Sequence, residues 1–254
     1  MEDKPELHIG ILGAMPEEIG TFLSNLDSIV QKKYGDLIIF SGIWKVSTSK
    51  KIYLSICFSG WGKVSASRAT TRLISSIYKE KEIDFLLFTG VAGAAKNNLK
   101  QWDIIISDSV VQHDMDASPI FDRYVVPALK TKKIAPSREL LINFENSLID
   151  FKKKGMLSKF GNVYKGLLAT GDQFITDKKI IESIASEFKD LYAIEMEGAA
   201  FAQVAQQENM EWLVIRVISD QADGEAHIDF ETFLQDFKIY SWEIIEAFLI
   251  YLSK

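Results

Sequence analysis

The chain has 254 residues, 47% hydrophobic and 25% charged, a globular composition that excludes a disordered, collagen-like or disulfide-scaffold protein. Its formal net charge of −6 argues against a nucleic-acid binder, which needs a basic field. The single cysteine, Cys57, excludes an intramolecular disulfide and a cysteine-based zinc site.

Residues 1–6 are a short polar extension, and the apolar run behind them is too short for a signal-peptide core. No apolar run approaches the roughly 18 residues of a membrane span, so the chain reads as cytoplasmic. His8–Gly13 is predicted as a short buried strand. The apolar spacing over Met15–Leu26 predicts a helix. Asp36–Trp44 and Lys51–Ser59 read as strands bounded by turn residues. Val64–Tyr78 reads as an amphipathic helix, and Phe85–Phe88 as a buried strand that stops at Thr89-Gly90. Trp102–Val111 is a strand, Arg138–Phe151 a helix and Val163–Ala169 a strand. Lys178–Phe188 is helical, Leu191–Met196 a strand and Glu197–Gln207 a helix rich in small residues. Trp212–Ile218 is a buried strand, and Phe230–Leu252 a long amphipathic helix. This alternation predicts an α/β domain with a mixed or parallel central sheet. The Lys152-Lys153-Lys154 run reads as a solvated helix end.

Several signatures fail. Gly10-Ile11-Leu12-Gly13 lacks the first glycine of a dinucleotide fingerprint, and Gly62-Lys63 is followed by Val64 where a P-loop needs Ser or Thr. His8, His113 and His227 follow no metal spacing, and Cys57 reads as a small core residue. No metal and no cofactor are expected.

Four segments end predicted strands with glycine or polar residues, as binding sites at the carboxyl edge of a sheet require. They run from Gly13 to Glu18, Thr89 to Gly93, Thr170 to Ile175 and Ile194 to Gly198. A fifth, Arg216 to Asp220, puts Ser-Asp after an apolar strand. Each acid alone fits a helix cap or first-turn carboxylate as well as a catalytic role. Convergence of Glu18, Glu197, Arg216 and Asp220 on one cleft favours the catalytic role.

These residues carry a resemblance to the 5′-methylthioadenosine/S-adenosylhomocysteine nucleosidases of the purine nucleoside phosphorylase superfamily. The likeness runs from Ile9 to Met15 with Glu17-Glu18, through Ser59 to Val64, Thr89 to Gly93, His113-Asp114, Gly171-Asp172, Phe174-Ile175 and Glu195-Met196-Glu197. It ends with Arg216 to Asp220, Ala222-Asp223, His227 and Phe230, and so covers the whole chain in order. The resemblance implies a single domain over residues 1–254, a three-layer α/β/α sandwich with a mixed central sheet. It implies cleavage of the N-glycosidic bond of an adenine nucleoside with a 5′ thioether. Glu18 matches the base for the attacking water and Asp220 the acid that protonates adenine N7. Met196 and Glu197 match residues that hold the ribose, and Arg216 one close to the water. Phe174 matches the ring that stacks on adenine, and Ile175 the residue whose backbone bonds it. Met15, Trp61 and Phe230 fall where the 5′ pocket is lined. Val91, Gly93 and Ser219 lie on the same motifs and complete the substrate-binding set. The family implies a homodimer in which the partner's loop, near 117–126, closes the pocket. Two departures stand out. Val91 occupies a position where many relatives carry a hydroxyl, and Trp61 is larger than the expected aliphatic residue.

The chemistry suits these residue types. Ribosyl cleavage builds positive charge on the sugar while electrons leave into the purine, so the leaving group needs a proton donor and the opposite face a base and water. Two carboxylates in different environments divide those roles. Asp220 is expected to carry a raised pKa, and an Asp suits a 6-amino purine by accepting from the amine while donating to N7. A phosphate nucleophile needs cationic or N–H donors, yet the loop holding Glu17 and Glu18 has no Arg. Alternatives are a nucleoside phosphorylase, a futalosine-type nucleosidase, and a catalytically silent binding or adhesion protein on the same fold.

Overall fold

The computed structural model describes residues 6–45, 51–220 and 226–254, with side chains of 226–229 excepted. Positions 1–5 of the polar extension, Ala222, Asp223 and the His227 side chain therefore lie outside the described residues. Among the described residues, nine strands form one mixed sheet: β1 (His8–Gly13), β2 (Asp27–Tyr34), β3 (Leu37–Lys45), β4 (Lys51–Phe58), β5 (Phe85–Ala94), β6 (Ile104–Gln112), β7 (Val163–Thr170), β8 (Leu191–Glu195) and β9 (Glu211–Asp220). The helices are α1 (Lys63–Ile74), α2 (Arg138–Lys153), α3 (Lys178–Glu187), α4 (Gly198–Gln207) and α5 (Ala226–Leu252).

The strand order is β2-β3-β4-β1-β5-β8-β7-β6-β9, and β9 also pairs with β5. Five strands thereby close into a ring, while β1 to β4 extend from it as an open wing. β4, β1, β5 and β9 run parallel to one another, as do β6, β7 and β8. The two sets join antiparallel at β6–β9 and β5–β8. The β5–β8 pairing involves only Gly93 with Ile194 and Ala94 with Ala193. Here the carboxyl ends of the two parallel sets meet. An irregularity at Ala92/Gly93 bends β5 at the same point, as a bulge does.

Layers follow from the buried runs. β1 is buried along its whole length, as a strand covered on both faces must be. Ile9, Ile11, Leu87, Ile215 and Val217 pack with Phe144 and Leu148 of α2 and Phe237, Ile245 and Phe248 of α5. Leu12, Leu86, Phe88 and Val214 pack on the opposite side with Ala69 and Leu73 of α1 and Phe201 of α4. α3 covers Leu167, Ala169 and Leu191. The mixed sheet between helical layers is as expected.

Several elements differ from the sequence reading. Met15–Leu26 is not an α-helix but two 3-10 turns, Pro16–Glu18 and Phe22–Asn25. Gly20 breaks the segment at φ +64, where a side chain would run into Lys238 O of α5. β5 does not stop at Thr89-Gly90 but continues to Ala94, held by β9 as far as Gly93. β6 starts at Ile104 because Trp102 sits at φ +73, outside strand geometry. α1 ends at Ile74, short of Tyr78. β2 went unpredicted: its residues are exposed almost throughout, so no buried alternation marks it.

Candidate active site

A cleft of about 600 Å³, its open mouth included, lies where the two sets of strand ends meet. Its walls come from the loop after β1 (Ala14, Met15, Glu18), the end of β5 (Val91 to Gly93), the loop after β7 (Gln173 to Ile175), the end of β8 (Ile194 to Glu197), the end of β9 (Ser219, Asp220), Trp61 and Phe230. Twelve of the thirteen residues singled out from sequence line it. Arg216 alone does not, being 1% exposed.

Glu18 owes its place to the 3-10 turn. Pro16 opens the turn, and Glu18 closes it and folds back on the segment it came from. Its Oε2 accepts from Ala14 N at 2.5 Å and Met15 N at 3.0 Å, and its Oε1 from Val91 N at 3.1 Å. A side chain at Gly90 would overlap the carboxylate, with Glu18 Cδ at 2.9 Å from the added carbon. Burial raises the Glu18 pKa, while Arg216 and the three N–H donors oppose the rise. The outcome is a buried carboxyl more basic than a free glutamate.

Glu197 is the N-cap of α4 and accepts from Gly62 N at 2.8 Å. That bond ties it to the start of α1. The same junction is tied twice more: Lys63 N donates to Asp172 Oδ1 at 2.8 Å, and Lys63 Nζ pairs with Asp114 at 2.6 Å. Burial and then the nearby Glu195 push the Glu197 pKa up to about 8. A carboxyl that titrates higher in the folded chain than in the unfolded one binds its proton more tightly in the native state. Its stabilising contribution is full below about 4.5 and is lost as pH rises to about 8. Thermal stability is therefore expected to fall across that window, and Glu197→Gln to remove part of the fall. Melting curves at closely spaced pH values test this; an unchanged slope in the variant would remove Glu197 as the cause.

Asp220 is buried at the end of β9, and Ser219 Oγ donates to its Oδ2 at 2.6 Å. Phe174, Phe230 and Trp61 form an aromatic row with edge contacts of 5.7 and 6.3 Å between successive centroids. Phe174 is 43% and Trp61 52% exposed, so both keep open ring surface for a ligand. Met15, Val91 and Met196 add apolar lining.

Sequence reasoning assigned no role to Glu195. Its carboxylate pairs with Arg216 Nη2 at 2.7 Å, both side chains almost fully buried. A signal was present. An Arg set between Ile215 and Val217 cannot lose its charge, so a buried partner carboxylate was required. His8 serves the core, bonding Lys81 O and Ser55 Oγ. His113 packs against Gly171, and burial keeps it neutral more readily than a free histidine. Cys57 is buried in β4, where burial pushes its thiol pKa up and makes it inert. Among the described residues, no group of three or more His, Cys, Asp or Glu side chains is set to hold a metal ion.

The phosphorylase superfamily model matches residues 8–250. A 5′-methylthioadenosine/S-adenosylhomocysteine nucleosidase of Anoxybacillus flavithermus is 33% identical over 98% of this chain and 100% of its own. The chain belongs to this superfamily, among these nucleosidases. The Neisseria meningitidis nucleosidase in complex with methylthio-immucillin-A superposes with a TM-score of 0.84 at 26% identity, covering 96% of this chain and 99% of the other. Superfamily likeness extends to a second activity. The futalosine hydrolase of Helicobacter pylori superposes with a TM-score of 0.82 at 30% identity, over 96% and 97% of the two chains.

Proposed function

We propose that this nucleosidase hydrolyses the N-glycosidic bond of 5′-methylthioadenosine and S-adenosylhomocysteine, and of 5′-deoxyadenosine, releasing adenine and the 5-substituted ribose. One observation carries the reading beyond family likeness: Glu18, Glu197 and Asp220 share a cleft lined by no Lys or Arg among the described residues, and the buried Arg216 is already held by Glu195. Phosphate needs free cationic donors and would meet acidic side chains instead. Water has no such conflict, so the cleft suits hydrolysis and not phosphorolysis.

The roles follow from position and chemistry. Glu18, buried and made more basic by burial, takes the proton of the attacking water. Asp220 protonates N7 as the C–N bond breaks, and its second oxygen accepts from the 6-amino group. Glu197 and Met196 hold the ribose, Glu197 through its hydroxyls. Phe174 stacks on adenine, and the Ile175 backbone bonds it. Gly93 and Ser219 line the base end, and Val91 the water side. Met15, Trp61 and Phe230 surround the 5′ substituent, where their apolar surfaces favour a thioether. Arg216 lies close to the water side, with its charge held by Glu195.

A homodimer belongs to the same reading. Ile120 is 83% exposed and Phe121 36% exposed on loop 117–126, which supports its covering a partner's pocket. Among the described residues, no helix is long and apolar enough to cross a membrane. The cytoplasmic location expected from sequence is part of the proposal, tested by cell fractionation.

Incubation with methylthioadenosine should release free adenine at the same rate with and without phosphate. Release that requires phosphate would make this a phosphorylase, and no release would end the hydrolase reading. The likeness to futalosine hydrolase makes futalosine the second substrate to test. Preference for it over methylthioadenosine would move the assignment there.

A further inference from the structure

Arg216 is a buried charge in an apolar strand. Its guanidinium lies 4.2 Å from the Phe88 ring centroid. Nη1 donates to Phe88 O at 3.3 Å and Ile215 O at 3.1 Å, and Nη2 to Glu195 Oε2 at 2.7 Å. Its Nε has no partner among the described residues. Glu18, Glu195 and Glu197 line the same cleft, and the guanidinium's charge opposes the rise that burial gives the Glu18 and Glu197 carboxyls. Of the three acids, Glu195 is the one that bonds the guanidinium.

Glu195 is held in place from every side. Thr170 Oγ1 donates to its Oε1, while Glu197 N at 3.1 Å and Gly198 N at 2.7 Å donate to Oε2. Thr170 Oγ1 in turn accepts from Ala199 N at 2.8 Å. These N–H groups open α4, where no intrahelical acceptor exists and negative charge is favoured. One carboxylate thus joins the ends of β7 and β8, the start of α4 and the charge on β9.

We infer that Glu195 is a positioning residue: by engaging Arg216 it withholds that charge from Glu18 and Glu197, and so leaves both carboxyls able to exchange protons and receive ribose hydroxyls during turnover. The inference rests on the hydrolytic reading of the cleft. The charged and titratable groups around this cluster are Glu18 from the 3-10 turn, Glu197 at the α4 cap, Arg216 and Asp220 on β9, and His113 at the end of β6. Lys63 Nζ is engaged by Asp114 at 2.6 Å.

Glu195→Gln keeps the shape and deletes the charge. Arg216 is then shared between Glu18 and Glu197, and Glu197 also loses the repulsion of Glu195. Both carboxyls should become more acidic. The experiment is a carbon-13 NMR titration of the glutamate side chains in the full chain, wild type against Glu195→Gln, with Glu18→Gln and Glu197→Gln used to assign signals. The Glu197 midpoint is expected to move down by about one pH unit or more, the size an opposite charge produces at close range. The acid limb of the kcat profile for adenine release should move the same way, with kcat falling more than KM rises. Unmoved midpoints in a folded variant overturn the inference even if activity drops. Should Glu195→Gln not fold, Glu195→Asp retracts the carboxylate from Arg216 and is expected to move the Glu18 midpoint in the same direction; an unmoved midpoint again overturns it. The titration needs no turnover. Wild-type failure to release adenine would therefore count against the hydrolytic reading alone.

Discussion

Glu18→Gln is expected to lower kcat for adenine release by about 10²–10⁴, the range for loss of a general base. The amide nearly matches the carboxylate in shape but takes no proton from water. It also carries only one acceptor oxygen. Three backbone N–H groups, from Ala14, Met15 and Val91, now divide between two carboxylate oxygens. The amide NH₂ must face at least one of them. Leaving a buried donor unmatched costs about 1–3 kcal/mol, so the variant should melt lower while keeping its fold. Activity at saturating methylthioadenosine, with circular dichroism as the folding control, separates the two effects. A folded variant with near-normal kcat would remove Glu18 from the role of base.

Asp220→Asn is expected to lower kcat by about 10²–10⁴ through the other half of the reaction. Here the missing proton is the one delivered to the purine. A riboside whose leaving group departs without protonation, such as a nitrophenyl riboside, should escape the defect. Glu18→Gln should stay slow on that same substrate, because water still needs a base. Comparison of the two variants on the two substrates thus assigns the acid and the base separately. If Asp220→Asn is equally slow on both substrates, Asp220 is not the leaving-group acid. The Asn variant should also lose preference for a 6-amino over a 6-oxo purine, since its NH₂ can donate to a 6-oxo group.

Most strands were legible because they are buried on both sides and read as unbroken apolar runs. β1, β4 and β7 match their predicted spans within a residue. The same signal failed at β2, an exposed edge strand whose pairing with β3 supplies what its side chains do not. It failed again at Thr89-Gly90, where glycine and threonine look like a stop. There, pairing with β9 carries the strand three residues beyond Gly90, to Gly93. The helix expected over Met15–Leu26 had the right apolar spacing, but local spacing cannot register the approach of α5 at Gly20. Cleft residues were legible as strand ends that change from apolar to polar. Glu195 escaped because its work is done inward, on Arg216 and the α4 backbone: the apolar setting of Arg216 called for a partner carboxylate, but nothing along the chain said which acid it was.

Gly90 has a consequence for how this sequence can change over time. Its missing side chain is the space that the Glu18 carboxylate fills. Alanine, the mildest replacement in most proteins and one nucleotide away from glycine in the code, would evict the carboxylate from its seat against the strand. Two positions seventy-two residues apart are therefore bound into one inheritance: a lineage that gives up glycine at the second gives up the usefulness of glutamate at the first. A side chain at this point is therefore expected to cost activity by displacing the Glu18 carboxylate, before it costs the sheet.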